Sequence, residues 1–386
     1  MIVLVAISSF FMTLFGMPTL IKVAKLKQLV DEPGEDRKVH HRSVPTIGGV
    51  MIFISVFFNV LFWVGFVDAE ASFNFNAQPL TMACLVLIFF TGLKDDIIGM
   101  SPSKKLMVHL FIGIALTTIS QYRIESFGGL FGINELPEML SIGFSIFVYI
   151  VIVNAWNLID GLDGLAAGFT VIAMSAFTFW FLSVGAQAEA LLSIATGGTM
   201  LAFLVFNFAP ARIFMGDCGS LFVGVIGYVL ATSVMSTPTE AIPDHLLLVS
   251  KEVLVMGILA FPLVDTLRVF ILRAARGISP FHPDRNHLHH RLMMRFGTHR
   301  KTVFVVYGYS IFMIALAFST PLLRGVLPVE ILFAGLLIIA FGVFYPTLRR
   351  TKMDYHRSLA AETIPVEGQK KKTSTKDAEL KREALA

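Results

Sequence analysis

The sequence predicts an all-α polytopic membrane protein, and three observations carry that expectation. Of its 386 residues, 55% are hydrophobic and only 15% are charged, against roughly 45–50% and 25% in a soluble domain. The mean hydropathy is +0.74. The apolar residues gather in runs of roughly 20, the length of a helix that crosses a bilayer, and runs such as Ile142–Val153 lack the period-two alternation of a membrane barrel. An ordinary soluble enzyme and a disordered chain are excluded. Two cysteines, Cys84 and Cys218, do not make a disulfide scaffold. The formal charge of +4 is too small and too scattered for a nucleic-acid partner.

About eleven spans are expected by the length rule: 1–21, 47–67, 78–93, 106–120, 139–155, 164–184, 188–207, 219–236, 246–268, 303–322 and 326–346. The first is not read as a cleavable signal peptide, because no basic residue precedes it and no small-x-small site follows it. Most of the 36 phenylalanines fall inside these runs and read as packing or lipid-facing bulk.

Orientation follows from the basic residues, which favour cytoplasmic loops. With the N-terminus outside, the loops at 22–46, 94–105, 156–163, 208–218 and 269–302 and the tail after 346 are cytoplasmic. They hold nearly all of the 31 Lys and Arg. The opposite loops carry only Arg123 and Arg324, with Lys251 near a helix end. The C-terminus is then inside too. Two regions are expected: a membrane domain over 1–346 and a flexible cytoplasmic tail over 347–386. The tail holds Lys370, Lys371 and Lys372 and too little apolar surface to offset chain entropy.

The residues that carry chemistry fall on the cytoplasmic side. Lys94-Asp95-Asp96 directly follows the third span, with Lys104 and Lys105 shortly after. Adjacent carboxylates repel unless a cation sits between them, although a helix cap or topology marker also accounts for a lone pair. In Asn154-Ala-Trp-Asn157-Leu-Ile-Asp160-Gly-Leu-Asp163-Gly164, a continuing helix puts Asn154, Asn157 and Asp160 on one face. Such amide and carboxylate oxygens suit a hard divalent ion, magnesium or manganese in its place. Asp217 stands between Gly216 and Cys218 at the start of a span, where a helix N-terminus favours phosphate oxygens; a plain N-cap is the alternative. The loop Asp284-Arg285-Asn286-His287-Leu-His289-His290-Arg291 has histidines that could mean zinc. Its arginines, and the lack of a nearby cysteine, suit phosphate better. Residues 31–49 read by themselves as an ordinary positive-inside loop. Acids, amides and bases on one membrane face are what a phosphoryl transferase acting on a lipid phosphate needs. A transporter with a metal-binding gate is the remote alternative. Its nearest midplane candidate, Asp265, lies close to the cytoplasmic edge.

The segments RKVHHRSVPTIGG, KDDIIGMSPSKKL, NAWNLIDGLDGLAAG, ARIFMGDCGSLF and SPFHPDRNHLHHRL, in this order, resemble the bacterial polyprenyl-phosphate N-acetylhexosamine-1-phosphate transferases over about residues 1–346. The branch they are most similar to is that of the undecaprenyl-phosphate N-acetylglucosamine-1-phosphate transferases, on the form His287-Leu-His289-His290. The resemblance implies that Asn157 and Asp217 bind magnesium, and that Asp95 and Asp96 form the acidic pair at the reaction centre. It implies that Asp160 and Asp163 serve the nucleotide or metal site, that Lys105 meets phosphate, and that Asn207 contacts uridine. Arg285, His287, His289 and His290 would hold sugar and diphosphate, and Asn154 lies with the substrate-binding set. The sequence departs from the pattern at His109, where Gln is common, and at Cys218, where a small residue is typical. The expected reaction transfers N-acetylglucosamine 1-phosphate from UDP-N-acetylglucosamine to undecaprenyl phosphate at the inner membrane; another UDP-N-acetylhexosamine remains open as donor. The expected partners are those two substrates and membrane lipid, with no nucleic acid and with a homodimer left open.

Overall fold

A computed structural model describes residues 1–31, 44–66, 78–275, 277, 287–324 and 326–345. Each of the eleven apolar segments is helical, although their boundaries shift. The helices are α1 (Ile2–Leu26), α2 (Gly48–Val64), α3 (Gln78–Ile98), α4 (Pro102–Ile114), α5 (Glu138–Leu158), α6 (Leu165–Ser183) and α7 (Gln187–Asn207). They continue with α8 (Gly216–Met235), α9 (Lys251–Ile258), α10 (Ala260–Ala274), α11 (Leu288–Phe296), α12 (His299–Phe318), α13 (Pro321–Arg324) and α14 (Val329–Gly342). A two-residue antiparallel pairing, Val30–Asp31 with Val44–Pro45, joins the ends of the loop after α1. Met1–Gly342 form one compact unit. The tail expected from 347 onward lies outside the described residues.

Six helices, α1, α5, α6, α7, α8 and α12 with its continuation to Arg324, are long and apolar enough to cross a membrane alone. The segment expected as a single span over 246–268 is instead two helices, α9 and α10, bent by 76°. Pro262 supplies the reason. Its ring would clash with the Ile258 carbonyl in a continuous helix. The bend starts a new helix that carries Asp265 in its second turn.

Helix α8 is the centre of the bundle, with 94% of its best apolar window buried. A helix that is apolar on every face belongs inside. Small residues let it pack closely: a Cβ on Gly224 would stand 2.9 Å from the Val153 Cα, and one on Gly227 would enter the Trp156 ring. Polar pairs add directionality where lipid gives helices little reason to associate. Ser55 Oγ lies 2.9 Å from Thr199 Oγ1 and donates to the Ser9 carbonyl, tying α1, α2 and α7. The Trp156 indole N–H donates to Thr170 Oγ1 across α5 and α6. Peripheral α1 turns Phe15, 72% exposed, outward as a lipid-facing surface would.

Candidate active site

The C-terminal ends of α3, α5 and α7 meet the N-terminal ends of α4 and α8 at one end of the bundle. Chain direction alternates along these helices, so residues 95–96, 105, 157, 207 and 217, far apart in sequence, converge there.

The two aspartates at the end of α3 do different work. Asp96 accepts from the backbone N–H groups of Asp217 (2.8 Å) and Cys218 (2.9 Å), one on each carboxylate oxygen. These are orphan donors of the first turn of α8, so Asp96 caps that helix from another part of the chain. The turn into α8 needs Gly216. Its φ is +71°, and a Cβ there would press on the Asp96 carboxylate. Asp95 points instead to Lys105, whose Nζ lies 2.9 Å from Asp95 Oδ2 and also pairs with Asp217 Oδ2. Asp217 Oδ1 accepts from the Asn157 amide at 2.8 Å, and that amide also donates to Ser220 Oγ. Asp95, Lys105, Asn157 and Asp217 are thus one connected cluster, with Asp217 30% exposed at the side chain.

Next to it runs the turn 159–164 between α5 and α6. Asp160 accepts from the Gly216 backbone. Removal from water pushes its carboxyl well above the usual range, and the charges of Asp217, Asp96 and Asp163 add to that. Asp163 is a tie rather than a free acid. Its Oδ2 accepts from the Ala211 N–H at 3.0 Å, its backbone N–H donates to His299 Nδ1, and its Oδ1 lies 3.6 Å from the same nitrogen. Asn207, expected at uridine, is buried with both ends of its amide engaged by backbone: it accepts from the Gly164 N–H and donates to the Ile213 carbonyl. The Asn154 amide turns back to the Ile150 carbonyl of its own helix.

The histidine segment opens α11. His287 and His289 are buried against Asp265 of α10, with His289 Nδ1 2.6 Å from Oδ2. His290 is adjacent, its ring 4.2 Å from that of His289. Arg285 lies outside the described residues, as does most of the 31–49 loop. Sequence reasoning missed Asp265 as the partner of these histidines. The signal was present, since a carboxylate inside an apolar span is a functional position by default. It missed Ser220 and His299 too, whose roles exist only through long-range contacts.

The residues that would hold a divalent cation fit one chemically. Asp217, Asn157 and Asp95 offer hard oxygen donors, and the Lys105 ammonium already bridges two of the carboxylates where positive charge is wanted.

Fold and site together define a multi-pass helical membrane protein with an acid-rich, partly open centre where helix ends converge. Residues 79–235 match the family described as Glycosyl transferase family 4. A Bacillus subtilis protein named as a probable undecaprenyl-phosphate N-acetylglucosaminyl 1-phosphate transferase is 33% identical over 311 residues, which is 79% of this chain and 81% of that one. The decaprenyl-phosphate N-acetylglucosaminephosphotransferase of Mycolicibacterium smegmatis is 31% identical, covering 70% of each chain. The undecaprenyl-phosphate alpha-N-acetylglucosaminyl 1-phosphate transferase of Escherichia coli K12 is 29% identical over 78% of this chain and 80% of its own. The chain belongs to glycosyl transferase family 4.

Proposed function

We propose that this chain transfers N-acetylglucosamine 1-phosphate from UDP-N-acetylglucosamine to undecaprenyl phosphate and releases UMP. An oxygen of the lipid phosphate attacks the β-phosphorus of the donor. The bond from that phosphorus to the bridging oxygen breaks, and UMP leaves with the bridging oxygen. The observation that carries this reading is the Asp95–Lys105–Asp217–Asn157 cluster, in which a lysine stands between two carboxylates beside a helix N-terminus.

Asp217 and Asn157 would hold magnesium, with Asp95 within reach of the same cation. Held there, magnesium would supply the positive charge that offsets the diphosphate and the leaving UMP. Lys105 supplies a fixed positive charge to the phosphates. Asp95 is the member of the pair that positions or deprotonates the lipid phosphate, because both oxygens of Asp96 are taken by α8. A single displacement suits these residues better than a covalent aspartyl intermediate. The Asp95 carboxylate is already paired with Lys105, which weakens it as a nucleophile.

The site faces the cytoplasm of a bacterial inner membrane in this reading, with the N-terminus outside. The product begins a lipid-linked envelope glycan such as O-antigen, common antigen or a wall polymer. The test is an assay of purified protein with undecaprenyl phosphate and a panel of UDP-sugars. UMP release with UDP-N-acetylglucosamine, abolished by chelation and restored by magnesium, is the expected result. Preference for another UDP-N-acetylhexosamine overturns the sugar; activity with no UDP-sugar overturns the reaction.

A further inference from the structure

Asp265 is fully buried in α10. A carboxylate in such a place is costly unless it is partnered, and the histidine segment supplies partners. The Leu288 backbone N–H donates to Oδ1. His289 Nδ1 lies 2.6 Å from Oδ2, and His287 Nδ1 lies 3.4 Å from Oδ1. An ionised carboxylate only accepts, so the His289 contact puts a proton on Nδ1. The opposite nitrogen, His289 Nε2, is buried and has no hydrogen-bond partner among the described residues. It faces Gly161, where a Cβ would stand only 2.8 Å away. Gly161 follows Asp160, which reaches the Gly216 backbone at the foot of Asp217. One edge of the imidazole is therefore held by α10, and the other opens on the acidic turn between α5 and α6.

A metal ion among Asp265, His287 and His289 is the competing arrangement, since one ligand atom from each lies within 4.8 Å of the others. The spacing argues against it. Ligands at roughly 2.0–2.1 Å from a tetrahedral ion stand about 3.3 Å apart, whereas His289 Nδ1 and Asp265 Oδ2 are at hydrogen-bond distance. Oδ1 already takes the Leu288 N–H.

We propose that Asp265 is a positioning residue for the transfer reaction: it holds His289 with its proton on Nδ1, so that Nε2 meets the diphosphate oxygens of the sugar nucleotide over Gly161. The inference rests on the function proposed above and adds a residue to it. In that contact an Nε2 N–H is the donor and a phosphate oxygen the acceptor, with Asp265 facing the Nδ1 edge of the same ring. Gly161 leaves the space this contact needs.

Two measurements test the proposal. The first needs no substrate: nitrogen NMR of histidine-labelled wild type, with His289 assigned by its loss in His289→Gln. A protonated Nδ1 is expected. An unprotonated Nδ1, or stoichiometric zinc that disappears with His289→Ala, overturns the proposal. The second is kinetic. Asp265→Asn and His289→Ala should each lower kcat/KM for UDP-N-acetylglucosamine by roughly ten- to a hundredfold, leaving KM for undecaprenyl phosphate within about twofold. The double variant should be no worse than His289→Ala alone, as for residues acting through one contact; a fully multiplicative loss overturns the positioning role. Should Asp265→Asn fail to fold, Gly161→Ala provides the same check by placing a methyl against Nε2. An unchanged KM for the sugar nucleotide in that variant overturns the assignment. A wild type with the expected tautomer and no turnover on any UDP-sugar sinks the transferase reading while leaving the Asp265–His289 pair in place.

Discussion

Two acidic centres flank the turn at Asp160 and Gly161, and they neutralise their charge in opposite ways. Around Asp217 the carboxylates of Asp95, Asp96 and Asp160 outnumber Lys105, the cation paired there among the described residues, and the Asp217 side chain is 30% exposed. Around Asp265 one carboxylate is met by two histidines and a backbone N–H, with 0% exposure at the acid and 1% at His289. The first centre is open and carries an excess of negative charge, so an external cation has both a route and a reason to enter. The second is buried, its carboxylate met by donors while His289 Nε2 is left facing Gly161, which suits fixing a geometry. A carboxylate's surroundings, more than its identity, decide whether it does chemistry or holds something in place.

The largest expected effect lies in the open centre. Asp217→Asn removes a charged oxygen ligand and should lower turnover by at least roughly 10²–10³-fold, with the protein still in the membrane and still monodisperse in detergent. Wild-type turnover with an intact magnesium requirement would erase the distinction between the centres.

The adjacent aspartates sharpen it within the open centre. Asp96→Asn leaves one side-chain oxygen in place of two to accept the backbone N–H groups of Asp217 and Cys218 and should destabilise the fold by about 1–2 kcal/mol, seen as a lower melting temperature. Asp95→Asn should cut turnover and leave melting nearly unchanged. The reverse pattern would exchange their roles.

Asp160 allows a test by pH. Its carboxyl is raised by burial and by its acidic neighbours, so its contribution to stability is complete below the ordinary carboxylate range and is lost as pH rises through its higher folded value. In chelator, wild type should lose thermal stability with rising pH across that window. Asp160→Asn should flatten the dependence and melt higher at neutral pH while losing activity, as a site that stores repulsion does. A variant with the wild-type pH profile would show that the repulsion is absent.

The smallest effect should come from deleting everything after Arg350. Every described residue of either centre precedes it, and turnover should stay within a few-fold of wild type. Complete loss in a folded protein would give the tail a part in the site.

Much of this was legible in the chain. Apolar runs of bilayer length determined the helices, because no other local structure satisfies the backbone in lipid. The clustering of Asp95, Asn157, Asp160, Asp217 and the histidines outside those runs singled out the candidate site residues, because an ionisable group in such a chain is a functional-site candidate by default. Local pattern could also foresee a helix end at Asp217, but not that Asp96 caps it from α3. Nor could it show that Asn207 and Asp163 spend their polar atoms on neighbouring backbone, or that Pro262 breaks a span and delivers Asp265 to His289. Those outcomes depend on which helix ends meet. Contacts between residues more than a hundred positions apart, such as Asp96 with Asp217, are set by packing around the α8 core, and packing has no signature in the sequence near either partner.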